Sequence, residues 1–436
     1  MTMRVLILSL EVWQDGTNGG NVLSNMFKDT GMEFAQIYCS PGEPRNELCT
    51  QYYQMTDSMV IHGLLKHRAI GRQFTLQSRA EDLRPTEAVQ SVGAEQPNKK
   101  FYNFFRSHRL GIFYAAKNMA WSLSNWKHAG LDSFVKDFAP DIIFAPCYGD
   151  IFMQKLTRYV AELTEKKVIS YISDDHYTLH HFSLSPYFWG HRLCLRHQLR
   201  KTFPYYSLVY TMTQTQKQQC ERDLHANMKI LMKSISFGAI PEKTSVEYPI
   251  RIVYAGGIYL NRWKTLGMVA DGVRRVNQDG VKYQLDIYTG NDCTAEMREK
   301  LHDGVNCFLH PVVSQDALRE IYNSSDIALH VESFDLKNRL AVRMSFSTKL
   351  VDCLSSGCAV MAICDAKQGG MVYLREEDAA ICISERSGIY DVLENLARNP
   401  QQIVDYARKA KQCCMRNHEK EHICRMVISD FERYCN

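Results

Sequence analysis

The chain has 436 residues, of which 45% are hydrophobic, 23% charged and 11% aromatic, and its formal net charge is +4. This composition excludes a collagen-like or disordered protein and a uniformly basic nucleic-acid coat, and the length predicts two or three domains. The charge is uneven, because residues 1–240 hold 27 Lys and Arg against 21 Asp and Glu, whereas residues 241–436 hold 25 against 27.

Fifteen cysteines occur without a CxxC pair or the spacing of a zinc site, which favours a reducing cytoplasm over a secreted, disulfide-bonded protein. The N-terminus enters a strand-like run without the charged leader and apolar core of a signal peptide. No window of 18 apolar residues is present, so we expect no membrane-spanning helix.

Short apolar strand-like runs alternate with helical patterns along the whole chain, which predicts an α/β fold with parallel sheets. The predicted strands of the first half are Val5–Leu10, Phe34–Cys39, Ile142–Ala145, Val168–Ile172 and Leu208–Met212. Those of the second half are Ile252–Ala255, Gln284–Tyr288, Asn306–Leu309, Ile327–His330 and Ala359–Ile363. Between the halves, Phe237–Pro249 has no periodicity and is interpreted as an interdomain linker.

A strand followed by Gly-Gly and a helix occurs twice, with Gly19-Gly20 in the first half and Gly256-Gly257 in the second. Glycine at such a turn permits close backbone approach, and the helix N-terminus that follows favours an anion. A tight turn in a βα unit is the simpler interpretation of each pair. Neither pair fits the dinucleotide GxGxxG or the P-loop pattern, which disfavours those two classes of protein.

The segment Ser345–Ala362, SFSTKLVDCLSSGCAVMA, is the most informative of the chain. It resembles the donor-site helix and last buried strand of glycosyltransferases with the GT-B fold. Upstream, Asp326-Ile-Ala-Leu-His, His310-Pro-Val-Val and Ile252-Val-Tyr-Ala-Gly-Gly follow the order of that family, as does Pro140-Asp-Ile-Ile-Phe-Ala in the first half.

The resemblance implies two Rossmann-like domains that face a cleft. The first is expected at residues 1–240 on the acceptor side, and the second at 241–414, where it would bind a nucleotide sugar. A C-terminal helix, within 415–436, is expected to cross back to the first domain.

The resemblance also implies roles for particular residues. Asp352 would hold the donor ribose, Ser347 and Thr348 would face the diphosphate, and Val312 and Val313 would border the base. The expected donor-binding set is Gly256, Gly257, Arg262, Lys264, Val312, Val313, Ser347, Thr348, Lys349 and Asp352, in which Lys264 is the alternative to Arg262 as phosphate cation. The loop of Gly19 and Gly20 would approach the diphosphate or the acceptor from the other domain.

Three positions depart from the family pattern. Met344 stands eight residues before Asp352, where retaining members commonly carry a glutamate. Gly257 replaces a frequent arginine, and Cys147 lies near the place of a frequent histidine. These departures leave the stereochemistry of the transfer open.

A group for proton transfer is expected at Asp174, Asp175 and His176, which follow a predicted strand at the edge where open α/β sheets carry chemistry. An inverting transfer needs a general base there. Capping of the next helix by Asp174 or Asp175 is the structural alternative, a DxD-like metal site is a third, and Asp150 is a lower-ranked candidate. No metal site is expected, because the histidines lack metal-ligand spacing.

Two stretches without acidic residues, 96–131 and 176–220, mix cations with aromatic side chains. Such segments contact anionic membranes or phosphates, or else they are ordinary helices with solvated basic faces. No nucleic-acid motif accompanies them. Ordinary helices are the simpler interpretation, and a cytoplasmic protein that is peripheral to the inner face of the membrane is the alternative.

The resulting expectation is a hexosyltransferase-type enzyme that needs no cofactor. It would move a sugar from a nucleotide diphosphate donor, UDP-sugar first among them, to a glycan or lipid-linked acceptor, as in cell-surface polysaccharide synthesis. Two alternatives are a nucleotide-sugar hydrolase or epimerase on the same fold, and a non-catalytic GT-B-like subunit.

Overall fold

The computed structural model describes residues 2–15, 18–66, 68–76, 111–236, 240 and 242–435. Four cations of the first basic stretch, Lys99, Lys100, Arg106 and Arg109, lie outside the described residues, as do residues 237–239 and 241 of the predicted linker. Over the described part of the chain, every helix is too short or too polar to cross a bilayer.

The first domain is built on a sheet of eight strands. The strands are β1 (Arg4–Ser9), β2 (Glu33–Tyr38), β3 (Cys49–Gln54), β4 (Arg72–Thr75), β5 (Ile142–Phe144), β6 (Val168–Tyr171), β7 (Tyr206–Thr211) and β8 (Met228–Ile230). The helices that connect or cover them are α1 (Asn18–Phe27), α2 (Asp57–Lys66), α3 (Gly111–Leu123), α4 (Ala129–Phe138), α5 (Ile151–Thr164), α6 (Pro186–Thr202) and α7 (Gln214–Leu224).

The second domain is built on a sheet of six strands. The strands are β9 (Ile250–Ala255), β10 (Tyr283–Tyr288), β11 (Cys307–His310), β12 (Ile327–Val331), β13 (Ala359–Ile363) and β14 (Ile381–Ile383). Its helices are α8 (Arg262–Val276), α9 (Ala295–Leu301), α10 (Gln315–Asn323), α11 (Leu336–Ala341), α12 (Lys349–Leu354), α13 (Gly369–Glu376), α14 (Gly388–Arg398) and α15 (Gln401–Asn417), and α16 (Lys420–Cys435) follows.

Both sheets have the topology of a doubly wound α/β fold. The first runs β4-β3-β2-β1-β5-β6-β7-β8 and the second runs β11-β10-β9-β12-β13-β14. All pairs are parallel except β3–β4, so the carboxyl ends of the strands meet at one edge of each sheet. Strands buried on both faces, such as β13 with all five residues buried, explain the continuous apolar runs in the sequence. The predicted α/β fold with two Rossmann-like sheets is confirmed.

Helix α16 belongs to the first domain by its contacts, although it follows the second domain in sequence. Its Phe431 is fully buried against Phe27 and Phe144, with ring centroids 5.6 and 6.1 Å away. The carboxylate of Asp430 accepts hydrogen bonds from the Tyr210 hydroxyl (2.8 Å) and the Lys229 ammonium (2.7 Å). The chain therefore passes between the domains twice, before β9 and again before α16.

Several local features differ from the sequence predictions. Gly19 and Gly20 lie in the first turn of α1 rather than in a loop. A Cβ at Gly20 would collide with the backbone oxygen of Gln14, so the glycine permits close packing of this helix on the preceding segment. Strands β3, β4, β8 and β14 were not predicted, because their sequences are short or interrupted by polar residues.

Candidate active site

A small cavity opens in the second domain at the carboxyl ends of β9 and β12. Arg262, His330, Ser347 and Lys349 contribute polar side chains to its lining. Open α/β sheets bind ligands at this edge, where strand order reverses on the two sides of the first strand. The second sheet has that reversal at β9, which lies between β10 and β12. Its position, not its size, therefore marks this edge of the second sheet as a candidate ligand site.

Lys349, the first residue of α12, extends across the backbone of Gly256. A Cβ at Gly256 would overlap the Lys349 ammonium and lie 3.2 Å from its Cε, so the glycine makes room for the lysine. Burial, and next the nearby Arg262 charge, lower the pKa of Lys349. Among the described residues, no carboxylate forms an ion pair with it.

Arg262, the first residue of α8, forms a two-pronged ion pair with Glu332. Its Nε and Nη2 donate to the two carboxylate oxygens at 2.8 and 2.7 Å, and both side chains are largely buried. Burial opposes the charge, but the hydrogen bonds and the attraction of Glu332 outweigh it and raise the pKa of Arg262. Arg262 is thus held rigidly at the cavity with its charge balanced.

His330, in β12, lines the same cavity and is only 5% exposed. Its Nε2 is buried and has no hydrogen-bond partner in the part of the chain that the structure describes. Burial lowers the pKa of His330 to about 4; Glu332 opposes that shift, and Arg262 and Lys349 reinforce it. The ring is therefore neutral at neutral pH. Sequence reasoning missed His330 and Glu332, whose only signal was a polar residue in or directly after a buried strand.

Thr348, Asp352 and the two valines of the expected donor set lie outside the lining of this cavity. Thr348 occupies the N-cap position of α12 without a side-chain capping bond. The carboxylate of Asp352, 44% exposed on α12, accepts a 2.7 Å hydrogen bond from Lys233, which follows β8. Val312 is 71% exposed and stands beside Gly290, and Val313 is half-buried.

Lys264 and Gly257 do not contribute to the lining of the cavity. Lys264 is exposed on α8, with its ammonium 5.5 Å from the ring centre of Trp263. A Cβ at Gly257 would collide with the ring of Tyr259. Of the two cations considered for the phosphate, the structure places Arg262 at the cavity and Lys264 away from it.

In the first domain, Asp175 is buried in a network of its own. It accepts hydrogen bonds from the Thr178 backbone (2.8 Å), the Thr178 hydroxyl and the Arg192 guanidinium (2.9 Å). Burial opposes ionisation, but the hydrogen bonds of His181 and Thr178 and the Arg192 charge hold the pKa of Asp175 well below its usual range. This arrangement suits a carboxylate that fixes the turn after β6, not one that takes a proton.

The side chains of Asp174 and His176, the neighbours of Asp175, form none of the hydrogen bonds of that network among the described residues. The exposed Asp174 accepts a 2.8 Å hydrogen bond from the hydroxyl of Ser345 in the second domain. The ring of His176 lies against Gly149, whose Cβ position would be 2.9 Å from its Nδ1. Burial lowers the pKa of His176, which favours the neutral ring. Asp174 and His176 keep the acceptor capacity that a general base needs.

The segment from Arg343 to Lys349 joins the first-domain candidates to the cavity. Met344, whose side chain is buried, accepts a 2.8 Å hydrogen bond at its carbonyl from the Thr213 hydroxyl of the first domain. Ser345 binds Asp174, and Ser347, only two residues further, lines the cavity. Two residues span at most about 7 Å of chain, so Asp174 and the cavity are close neighbours.

The remaining candidates have structural partners. Asp150 caps α5 by accepting from the Phe152 backbone (2.8 Å), and it pairs with Lys117 of the first basic stretch at 3.4 Å. In the second stretch, Arg192 is bound to Asp175, and Arg196 lies 4.0 Å from the Tyr177 ring centre. The described residues contain no group of three His, Cys, Asp or Glu side chains placed to hold a metal ion.

Comparison with known proteins bears on this geometry. Residues 280–429 match the family model for glycosyl transferase-like proteins, which covers about a third of the chain and includes the cavity residues from β12 and α12. No curated protein sequence matches the chain significantly.

Solved structures share the whole architecture. HepE of Anabaena, in complex with UDP and glucose, has a TM-score of 0.59 at 11% identity over 99% of this chain and 100% of its own. The E. coli trehalose-6-phosphate structure bound with UDP-2-fluoro glucose has a TM-score of 0.57 at 11% sequence identity, over 99% of both chains. Sucrose-phosphate synthase of Thermosynechococcus elongatus has a TM-score of 0.57 at 10% sequence identity, over 99% of this chain and 98% of its own. At such identities the likeness shows a common fold.

The fold and the family match together confirm the predicted resemblance. The protein is an enzyme of the glycosyltransferase class, and its architecture is the GT-B fold.

Proposed function

We propose that the protein transfers a sugar from a nucleotide diphosphate donor, with UDP-sugar as the first candidate, to a glycan or lipid-linked acceptor. The observation that carries the proposal is the cavity at the carboxyl ends of β9 and β12, where Arg262 is balanced by Glu332 while Lys349 has no ion-pair partner among the described residues. The excess positive charge suits a diphosphate. The UDP and UDP-glucose bound in the similar HepE structures favour UDP as the nucleotide.

The donor would lie across the second sheet with its diphosphate at the cavity. The backbone N–H groups after Ser347 and Thr348 would face the phosphates, and the exposed Val312 beside Gly290 would border the base. Asp352 would bind the ribose. Its Oδ1 is paired with Lys233 and Oδ2 forms no hydrogen bond among the described residues, so a carboxylate oxygen is available for a ribose hydroxyl.

Asp174 or His176 would take the proton of the acceptor hydroxyl. Both lie where the first domain meets Ser345, next to the cavity in the second domain. The bond between the sugar C1 and the diphosphate oxygen breaks as the acceptor oxygen bonds to C1, and the proton passes to the base. No cofactor is needed for this exchange.

The acceptor side of the first domain carries apolar groups in solvent. Leu184 is 88% exposed, and four more apolar side chains between residues 179 and 193 are about half exposed; they are Leu179, Phe182, Tyr187 and Leu193. This segment begins directly after the candidate base. Exposed apolar side chains followed by the exposed Arg200 and Lys201 on α6 support a lipid-linked acceptor and peripheral contact with an anionic membrane.

Calorimetric titration with UDP, together with a screen for donor hydrolysis across nucleotide sugars, tests the donor assignment. We expect UDP to bind the wild type and Asp352→Ala to abolish or strongly weaken that binding. Lys282→Met is a control for substitution away from the site, because Lys282 precedes β10 at the opposite edge of the sheet. Absence of UDP binding at millimolar concentration would rule out the proposal.

Co-sedimentation with vesicles that contain anionic lipid tests the acceptor side separately. The wild type should bind, binding should fall at high salt because surface charges are screened, and Leu184→Ser should weaken it. Equal sedimentation of wild type and variant would exclude this surface.

A further inference from the structure

We infer that Lys233 is a positioning residue for the donor. From the segment that leaves the first domain, it orients the carboxylate of Asp352 toward the ribose hydroxyls. The inference rests on the proposed function, in which Asp352 binds the ribose. It assigns a role to a residue that lies outside the sequence motifs and outside the family match, which covers residues 280–429.

The first observation is that Lys233 engages only one of the two carboxylate oxygens of Asp352. Its ammonium donates to Oδ1 at 2.7 Å, whereas Oδ2 has no hydrogen-bond partner in the part of the chain described. A carboxylate can accept about four hydrogen bonds through its two oxygens. The ion pair therefore holds one oxygen in place and leaves the other with the capacity to accept from a ligand hydroxyl.

The second observation is the contrast with another Lys–Asp pair, formed by a lysine four residues earlier. The ammonium of Lys229 lies 2.7 Å from both carboxylate oxygens of Asp430, one of which also accepts from the Tyr210 hydroxyl at 2.8 Å. The side chain of Asp430 is 10% exposed, compared with 44% for Asp352. Asp430 is thus engaged at both oxygens inside the first domain, as a purely structural pair would be, whereas Asp352 faces solvent with one oxygen unengaged by the described residues.

The third observation is that the backbone at Lys233 is fixed by the residue that precedes the second passage between the domains. The N–H of Ile235 donates to the His418 carbonyl at 2.9 Å. The fully buried ring of His418 lies with Nδ1 2.9 Å from the Lys233 carbonyl oxygen and with Nε2 2.9 Å from the Tyr373 hydroxyl. Because a carbonyl oxygen can only accept, Nδ1 donates to Lys233 and Nε2 accepts from Tyr373. The Lys233 side chain, 17% exposed, therefore extends toward Asp352 from an anchored backbone.

An anchored cation lowers the entropic cost of binding the ribose. A half-exposed aspartate without a partner samples several rotamers, and ordering such a side chain on binding reduces the affinity. The pair with Lys233 orders the Asp352 carboxylate before the donor arrives, so less free energy is lost when a ribose hydroxyl donates to Oδ2. The gain is confined to ligands that carry ribose hydroxyls, and this separates a positioning role from a general contribution to stability.

Calorimetric comparison of UDP with 2′,3′-dideoxy-UDP, which lacks both ribose hydroxyls, isolates this role. We expect the wild type to prefer UDP about ten-fold or more, because the dideoxy ligand loses a hydrogen bond to a charged oxygen. Lys233→Met should reduce that preference about three- to ten-fold by weakening the binding of UDP alone. Lys233→Arg, which keeps the charge, should recover part of the preference. Lys229→Met is the matched control, because it breaks a Lys–Asp pair of the same length and should keep the wild-type preference even if its stability falls.

The outcomes separate this inference from the proposed function. If the wild type binds neither ligand, both are wrong. If the wild type binds UDP without preference over the dideoxy ligand, or Lys233→Met keeps the wild-type preference, the nucleotide assignment stands and the inference is wrong. A parallel loss of both ligands in Lys233→Met, or an equal fall of the preference in Lys229→Met, would also overturn it in favour of a structural role. Thermal melts show whether each variant is folded. Should Lys233→Met fail to fold, Lys233→Ser decides the question, because its side chain is polar but too short to reach Asp352.

Discussion

Asp175→Asn tests the interpretation that Asp175 holds the fold and Asp174 does not. Asp175 is buried against Arg192, whose guanidinium is itself buried and donates to the carboxylate at 2.9 Å. Asparagine keeps the shape and part of the backbone capping but removes the charge, so Arg192 remains buried without its counter-ion. Breaking one side of a buried ion pair costs about 3–5 kcal/mol.

The lower end of that range applies here. Arg192 also donates to the backbone oxygens of Thr178 (2.8 Å) and Asp175 (2.7 Å), so part of its hydrogen bonding survives the substitution. A loss of about 3 kcal/mol lowers the melting temperature of a domain of this size by about 6–12 °C. Asp174→Asn removes the charge of an exposed carboxylate that binds Ser345, and it should change stability by less than about 0.5 kcal/mol.

Urea unfolding followed by tryptophan fluorescence measures the effect. Four of the five tryptophans belong to the first domain and report its unfolding; they are Trp13, Trp121, Trp126 and Trp189. If Asp175→Asn unfolds within about 1 kcal/mol of the wild type, or if Asp174→Asn loses as much, the reasoning is refuted.

The pH dependence gives a second check on Asp175. The pKa of Asp175 in the folded protein lies below its value of about 3.9 in an unfolded chain. The carboxylate therefore stabilises the fold fully above the unfolded pKa, and this stabilisation is lost as the pH falls through the lower pKa of the folded protein. The stability difference between wild type and Asp175→Asn should therefore shrink as the pH falls below about 4. A difference that persists unchanged in acid would contradict the assignment.

Four further substitutions test the packing. Gly20→Ala should destabilise the first domain, because the new methyl group would collide with the backbone oxygen of Gln14. Gly190→Ala in α6 meets nothing within 4 Å and should stabilise the same domain by about 0.5–1 kcal/mol. Urea unfolding curves that rank the two variants in the opposite order would contradict this reasoning. Phe431→Ala should lower the free energy of unfolding in urea by about 3–5 kcal/mol, because the ring is fully buried. A loss below about 1 kcal/mol would contradict a stabilising role of this ring in the first domain. Glu332→Gln leaves a buried guanidinium without its counter-ion and should lower the melting temperature measured by circular dichroism, whereas unchanged melting would argue against a structural ion pair.

Much of the fold was predictable because its signals are local. Strand β13 is an apolar run of five buried residues, and Gly357 just before it has φ of 82°, as the end of helix α12 requires. Strand β3 was missed because Cys49–Gln54 mixes buried aromatic rings with polar residues. Its burial depends on the neighbouring β2, which no local pattern reveals.

The candidate site was less predictable because its partners are distant in sequence. Lys233 and Asp352 are separated by 119 residues, and Arg262 and Glu332 by 70. His330 in a buried strand looks like any core residue until the cavity beside it is known. The expected roles of Asp352, Val312 and the other donor residues stay predictions, and the structure shows which of them lie near one another.

The return of α16 to the first domain has a consequence for biosynthesis. Phe27 and Phe144 emerge early from the ribosome, but Phe431, which covers them, is made only after the whole second domain. At about 5–20 residues per second, the roughly 190 residues from the interdomain segment to α16 take about 10–40 s. During that time the first domain presents an uncovered aromatic groove, so the domain that is translated first completes its core last.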